Sequence, residues 1–370
     1  MNSMPADTRL YILRRVSGGH GGAELAVQRF GRMFGDEYQV VPLSDRTLGL
    51  QGDLARRVLP RWWRPIRYAK RADAYLRAEA PGIVLSLERG PACTIYRAGD
   101  GAHRRWLEIK GGLGHWFNPL HWILPVLENR SIAKAVVVVA NSEMVRRDLA
   151  RFHPACESKI RVIRSGVDSS QFCWREEDAR DTRGRIGWTA DGEHWLFVGS
   201  GWERKGLAVA LRLLSHRLRR GPQVGTPSPM LHVVGSGRPK RFQSLAARLG
   251  VSAAVEFHGP KRGLQDWYSA ADLMVLPTAY DPCSNATLEA LACGCPVVTT
   301  KSNGAAEAIT ISEAGLTIDA DRPDFQRLDE WLDESLKRAD RSRIAKSMAA
   351  WTQDRERGEY ESLFEEVRCQ

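Results

Sequence analysis

The feature that most restricts this chain is a recurring order: a short β-branched run, then a glycine-rich or turn-forming segment, then a stretch with helical spacing. LYILRRV at 10–16 runs into SGGHGGA at 17–23 and then ELAVQRFGRMF at 24–34. YQVVPL at 38–43, GIVLSL at 82–87, AVVVVANS at 135–142 and RVIRSGVD at 161–168 supply further strands. The order then restarts. WLFVGSG at 195–201 reads as a strand and WERKGLAVALRLLSHRL at 202–218 as one continuing helix. MLHVVGSG at 230–237, VEFHG at 255–259, DLMVLPT at 272–278 and PVVTT at 296–300 are later strands. Between them lie helices at 240–250, capped by Gly250, and at 264–271. Strands that alternate with helices build parallel sheets covered on both faces, so the fold class is α/β. The restart near residues 170–190 predicts a first domain at 1–172 and a second at 173–344.

A length of 370 residues suits two domains, each with a core of its own. The seven cysteines are odd in number and irregularly spaced, which argues against a disulfide framework and for a reducing compartment. Cys293 and Cys295 form a C-x-C with no second Cys or His pair at zinc spacing, so no metal site is expected there. No apolar run approaches the ~20 residues that span a bilayer. The amino terminus lacks the apolar stretch and cleavage site of a signal peptide, so a cytoplasmic protein is expected. A net charge of +10 calls for an anionic partner: nucleic acid, a phosphorylated substrate or a membrane surface. No nucleic-acid-binding motif accompanies it, and nucleic acid is not an expected partner.

The basic charge is concentrated in RRVLPRWWRPIRYAKR at 56–71, where Arg61, Arg64 and Arg67 interleave with Trp62 and Trp63. RRWLEIKGGLGHWFNPLHWILPVLE at 104–128 adds Trp106, Trp116, Phe117 and Trp122. Cations beside indoles suit a membrane interface with anionic headgroups. The alternative is a solvated basic face with its tryptophans packed inward.

Candidate chemistry sits at the ends of strands, where α/β sheets bind ligands. SGGHGGA brings glycines to the start of a helix, a place where backbone can approach a phosphate, or simply a tight turn. GSGWERKG at 199–206 places Arg204 and Lys205 where they can neutralise a diphosphate, or form a plain surface pair. YDPCSNATLEALACGCPVVTT at 280–300 holds Asp281 and Glu289, eight positions apart. Glu289 can accept ribose hydroxyls and Asp281 can reach a sugar hydroxyl; equally, both are acids that a helix amino terminus stabilises.

These runs resemble retaining GT-B glycosyltransferases of glycosyltransferase family 4. The likeness is carried by FVGSGWERKG, HVVGSGRPKRFQSLAARLGV, VEFHGP, YSAADLMVLPTAYDP and NATLEALACGCPVVTTKSNGAAEAI, and more loosely by SGGHGGAE, GDGAH and VVANSEMVRRDL. Among family members it is most similar to the lipopolysaccharide core heptose glucosyltransferases. The resemblance implies the GT-B fold: two Rossmann-like α/β domains facing across a cleft, with a C-terminal helix at 345–370 returning to the first. It implies transfer of a hexose, glucose from UDP-glucose, onto a lipopolysaccharide-core or other lipid-linked sugar with retention of configuration. No cofactor or metal is implied beyond the UDP-sugar co-substrate, and the location implied is the cytoplasmic side of the inner membrane, held peripherally.

In the family's E-x7-E pattern, Glu289 matches the glutamate on the donor ribose. Asp281 stands where a glutamate on the transferred sugar is expected, one methylene shorter. Ser284, Asn285, Ala286 and Thr287, beside Cys283, match the loop facing sugar and diphosphate. Arg204 and Lys205 match the diphosphate cations, although Ser200 stands where many members carry Arg. Gly199 and Ser200 belong to the same donor loop, and His258 and Gly259 match the strand end at the uracil. Gly21 and Gly22 match the loop near the donor phosphates, and Asp100 and His103 the region beside the reacting carbon. Arg61, Trp62, Trp63, Arg64, Arg67, Trp106 and Trp116 are the expected membrane or acceptor contacts. Three other readings compete: a transferase using another nucleotide sugar for cell-envelope polysaccharide, a UDP-sugar epimerase, and a non-catalytic UDP-sugar-binding protein of the same fold. The departures at Asp281 and Ser200 keep the last of these open.

Overall fold

All strand pairings are parallel among the described residues, and the strands fall into two six-stranded sheets. The computed structural model describes residues 9–15, 22–50, 60, 62–79, 81–112, 117–175, 179–221, 228–336 and 338–369. Its chain divides into two compact units, one formed by 1–164 with 354–370 and the other by 165–353. The sequence reading put the division at 172/173.

In the first unit the strands are β1 (Arg9–Leu13), β2 (Gln39–Leu43), β3 (Ile83–Ser86), β4 (Ile95–Arg97), β5 (Val137–Ala140) and β6 (Ile160–Val162), in spatial order β2-β1-β3-β4-β5-β6. The connecting helices include α1 (Gly22–Phe34), α2 (Trp63–Glu79), α3 (His103–Lys110), α4 (Leu120–Lys134) and α5 (Glu143–Phe152). Both β3 and β5 are buried at every position, as central strands covered on two faces must be. The C-terminal helix, Gln353–Arg368, completes this unit. Its Tyr360 meets Phe30 edge-on at 5.3 Å, and its Phe364 packs on Phe34 at 5.1 Å. Its buried Glu356 pairs with Arg29 of α1.

The second unit has β7 (Glu193–Val198), β8 (Pro229–Val234), β9 (Val255–Gly259), β10 (Leu273–Leu276), β11 (Val297–Thr300) and β12 (Gly315–Ile318). Its spatial order is β12-β11-β10-β7-β8-β9. The helices used below are α6 (Ala179–Ile186), α7 (Trp202–Lys205), α8 (Leu207–Arg219), α9 (Pro239–Leu249), α10 (Leu264–Ala270) and α11 (Asn285–Ala292). The chain runs outward from β7 to β9 on one side, then returns to start β10 on the other. That leaves a topological switch point between the carboxyl ends of β7 and β10, where ligands bind in sheets of this kind.

The single helix expected over 202–218 is broken. Gly206, at φ +84°, separates α7 from α8, and a Cβ there would lie 1.9 Å from the Pro277 carbonyl oxygen. The turn is therefore pressed onto the end of β10 so closely that glycine is required. Cys293 and Cys295 are core residues, and burial raises both thiols, Cys295 to about 12. Among the described residues no helix is long and apolar enough to cross a membrane.

Candidate active site

At the switch point of the second sheet, α7 carries Arg204 and Lys205 against the segment after β10. The close contact at Gly206 is reinforced through the Arg204 carbonyl, which accepts from the Ala279 N–H at 2.8 Å and the Thr278 hydroxyl at 3.0 Å. Arg204 Nη1 donates to the Tyr280 carbonyl at 2.9 Å and lies 3.5 Å from Asp281 Oδ2. Lys205 Nζ donates to the same Oδ2. Two cations named from the sequence thus converge on one carboxylate oxygen of the buried Asp281. Asp281 is itself pinned by its backbone: its N–H donates to the Ser302 carbonyl, and its carbonyl accepts from the Gly304 N–H, each at 2.9 Å.

The loop from Asp281 to α11 is held by Asn303, which the sequence reading passed over. Its Oδ1 accepts from the Ser284 N–H at 3.2 Å and the Ala305 N–H at 3.1 Å. Its Nδ2 donates to Thr287 Oγ1 and Thr299 Oγ1, both at 3.0 Å. Ser284 caps α11, yet its hydroxyl is buried and makes no hydrogen bond. Asn285 and Ala286 open the helix, where amides have no intrahelical acceptor. One buried hydroxyl and a helix amino terminus therefore stand ready for an anion. Glu289 lies in the second turn of α11, half-buried, and its Oε2 accepts the buried Tyr268 hydroxyl at 2.8 Å.

Gly199 and Ser200 follow β7. The Ser200 hydroxyl accepts from the Ser236 N–H at 3.3 Å, and a Cβ on Gly235 would fall 2.1 Å from the Gly199 carbonyl oxygen. The two glycine loops after β7 and β8 therefore touch backbone to backbone. Gly259 closes β9 and its carbonyl accepts from the Gly235 N–H at 2.9 Å. His258 points its ring at His232 and Trp267.

In the first unit Asp100 lies between β4 and α3, and His103 is the first residue of α3. Asp100 is exposed and accepts from Arg14 Nη1 at 3.0 Å, with Arg89 3.8 Å away. Burial of the surroundings pushes its carboxyl up, but Arg14 and Arg89 outweigh this and hold it below the usual range. His103 is buried at the start of α3, and burial, with Arg89 nearby, lowers its imidazole to about 4. Lys110 can only donate, so His121 Nε2 accepts at 3.4 Å; His121 Nδ1–H then donates to His103 Nε2 at 3.2 Å. His103 is thus neutral, with its proton on Nδ1.

Beneath them is a second group that sequence reasoning missed. Glu128 of α4, fully buried, accepts from Arg89 Nε at 2.8 Å and the His103 N–H at 3.1 Å, and pairs with His153 Nε2 at 3.0 Å. A lone acid inside the apolar run HWILPVLENR was the available signal.

Gly22 opens α1, whereas Gly21, Arg61 and Trp116 lie outside the described residues. Trp62 and Trp63 are half-buried and meet edge-on at 5.6 Å, with Lys70 over Trp63. Arg64, Arg67 and Trp106 are half-buried as well. Phe117, Trp122 and Val126 are 87%, 55% and 66% exposed.

Comparison with known proteins gives these observations a setting. Residues 20–171 match the family model described as Glycosyltransferase Family 4, and residues 192–328 the one described as Glycosyl transferases group 1. D-inositol 3-phosphate glycosyltransferase 2 of Catenulispora acidiphila is 31% identical over 204 residues, which are 52% of this chain and 46% of that protein. The chain spans about half the length of the curated relatives it matches. Among solved structures, WaaG, a glycosyltransferase involved in lipopolysaccharide biosynthesis, superposes with a TM-score of 0.75 over 97% of this chain and 98% of its own at 19% identity. HepE of Anabaena in complex with UDP and glucose does so with a TM-score of 0.71 over 97% and 99% at 17% identity. A glycosyltransferase domain matched in each half, together with a shared two-domain Rossmann-like fold, places the chain among the GT-B glycosyltransferases.

Proposed function

We propose that the protein transfers a hexose, glucose from UDP-glucose, to a lipid-linked sugar with retention of configuration. The observation that carries the donor half is the switch point of the second sheet. There Arg204 and Lys205 gather on Asp281, in the loop that leads into α11, and the Ser284 hydroxyl that precedes the helix is buried without a hydrogen bond. That set of groups suits a diphosphate. Glu289 takes the ribose and Asp281 Oδ1 a hydroxyl of the sugar. The donor sugar follows the HepE complex with UDP and glucose.

In the reaction the C1–O bond to the diphosphate breaks, and the acceptor oxygen bonds C1 on the same face. The departing phosphate oxygen takes the acceptor's proton. Charge grows on that phosphate, and cations fixed in place beforehand lower the barrier. No protein nucleophile and no metal are required. His103, neutral with a proton on Nδ1, donates to a hydroxyl of the transferred sugar, and Arg14 and Arg89 hold Asp100 beside it.

The acceptor is assigned to the first unit and to a membrane. Arg61, Arg64 and Arg67 meet anionic headgroups, and the exposed Phe117, Trp122 and Val126 suit a membrane boundary. This makes the protein peripheral to the cytoplasmic face of the inner membrane. A second acceptor class, a phosphorylated polyol, is favoured by the relatives named for D-inositol 3-phosphate.

The test is thermal stability against UDP, UDP-glucose, UDP-galactose, UDP-N-acetylglucosamine, GDP-mannose and ADP-glucose. A ligand at a hundred times its dissociation constant adds about 2.7 kcal/mol. A shift with UDP and UDP-glucose that disappears in Glu289→Ala is expected, and turnover is then read with heptose-containing lipid and inositol phosphate acceptors. No shift with any nucleotide would refute the proposal.

A further inference from the structure

Three histidines climb diagonally across neighbouring strands of the second sheet: His194 on β7, His232 on β8 and His258 on β9. Met230 pairs with His194 and Glu256 with His232, so each step moves one strand over and two residues on. The register then shifts. Val233 pairs with Phe257 but Val234 with Gly259, which leaves His258 as the extra residue of a β-bulge. Bulges of this kind re-aim a side chain. Here the ring turns back onto His232 and Glu256.

Hydrogen bonding dictates the tautomers. His194 Nε2 lies 2.9 Å from the Thr189 carbonyl oxygen, which can only accept, so Nε2 carries the proton. His194 Nδ1 is then a lone pair and accepts from His232 Nε2–H at 2.9 Å. That leaves His232 Nδ1 as a lone pair too, 3.0 Å from His258 Nε2 and 3.3 Å from Glu256 Oε2. His258 Nε2 is 3.3 Å from the same oxygen. Three acceptor-capable atoms thus form a triangle of near-equal sides with at most one proton, that of His258, to share. A zinc ion bound at about 2.0–2.1 Å in tetrahedral geometry separates its ligands by about 3.4 Å. The triangle has those dimensions already.

The surroundings fit a metal as well. Trp188 stacks on His232 at 3.9 Å and on His194 at 4.8 Å, and Trp267 meets His258 edge-on at 4.8 Å, so the rings are held in place. The Thr189–His194–His232 chain is the outer support that metal-bound histidines ordinarily have. Glu256 is half exposed and gives an ion its way in and an open fourth position.

We propose that His232 Nδ1, His258 Nε2 and Glu256 Oε2 bind a divalent d-block cation of the zinc class, with His194 orienting His232. This site lies on the β7–β9 side of the sheet and uses neither Asp281 nor Glu289. It shares His258 with the strand end that the family resemblance sets at the uracil, and it ties β8 to the end of β9.

The experiment uses tag-free, chelator-treated full-length chain titrated with Co2+ and then Zn2+. Saturation at one equivalent, with the visible absorption of four-coordinate cobalt that Zn2+ displaces, is expected. Glu256→Gln alters a half-exposed residue and should fold; it and His258→Asn should each weaken binding at least about tenfold, as outer-shell changes alone do. His194→Asn should weaken it about tenfold while leaving the three ligands in place. Absence of saturable one-to-one binding would overturn the proposal. So would unchanged affinity in the Glu256→Gln/His258→Asn double variant, which would move the ion to other groups such as the free thiols.

Discussion

Asn303 is where the candidate donor loop is most open to a decisive change. Its carboxamide is 1% exposed and makes four hydrogen bonds, two as acceptor and two as donor. Asn303→Ala orphans the buried amides of Ser284 and Ala305, each costing about 1–3 kcal/mol. It also removes the donors to Thr287 and Thr299. The expected loss is about 4 kcal/mol. For a unit of this size each kcal/mol moves the midpoint by about 2–4 °C, so melting should fall on the order of 10 °C. Asn303→Asp separates the contributions. It keeps both acceptors and loses both donors. The Thr287 hydroxyl can turn and donate to the new carboxylate, but the Thr299 hydroxyl is already committed to the Leu276 carbonyl at 2.8 Å and cannot. Asn303→Asp should therefore fall between wild type and Asn303→Ala. Scanning calorimetry of the three proteins, followed by UDP titration, is the assay. An Asn303→Ala protein that melts within about 2 °C of wild type and binds UDP equally well would refute the role given to this residue.

Two more outcomes follow from the first unit. His103 faces Arg89, Glu128, His121 and Lys110, and its folded pKa of about 4 lies below the ordinary 6.5. The unfolded chain therefore binds the proton first, and the stability due to neutral His103 is complete above pH 6.5 and lost as pH falls toward 4; the loss is at most about 1.4 kcal/mol per pH unit. Urea unfolding of wild type and His103→Gln from pH 7.5 to 4.5 should diverge over that window, and parallel curves would contradict it. Phe364→Ala empties a ring site bounded by Phe34, Tyr38 and Tyr360 and should cost about 3–5 kcal/mol. A loss below about 1 kcal/mol in chemical denaturation would mean that the C-terminal helix is not part of that core.

The alternation of strands and helices was legible because buried parallel strands are continuous apolar runs, as VVVA and LMVL are here. What the sequence concealed was short or non-local. β4 (IYR) and β12 (GLTI) carry polar residues or glycine in place of a continuous apolar run, so nothing marks them out. The break at Gly206 comes from the Pro277 carbonyl just after β10, some seventy positions away, which no local pattern announces. Asn303 was passed over in KSNGAAEA because its partners, Ser284, Thr287 and Thr299, come from a loop, a helix and a strand.

The two candidate clusters differ in how much sequence assembles them. Arg204 and Lys205 are adjacent, and Asp281 and Glu289 share one loop and helix, so two short segments at one switch point suffice. The first-unit cluster draws Arg14, Arg89, Asp100, His103, Glu128 and His153 from five separate segments. Its organising group is the buried carboxylate of Glu128, stable as an anion only because Arg89, His153 and the His103 amide satisfy it together. Removing one partner leaves a buried charge uncompensated, so this cluster forms as a unit or not at all. The second cluster holds its charge balance differently. Lys205 and Arg204 rest on Asp281 Oδ2, a pairing that a more strongly charged diphosphate can outcompete without unfolding anything. Of the two clusters, the one at the switch point of the second sheet can therefore lose its ion pairs without burying an uncompensated charge as deep as Glu128, whereas the one around Glu128 cannot.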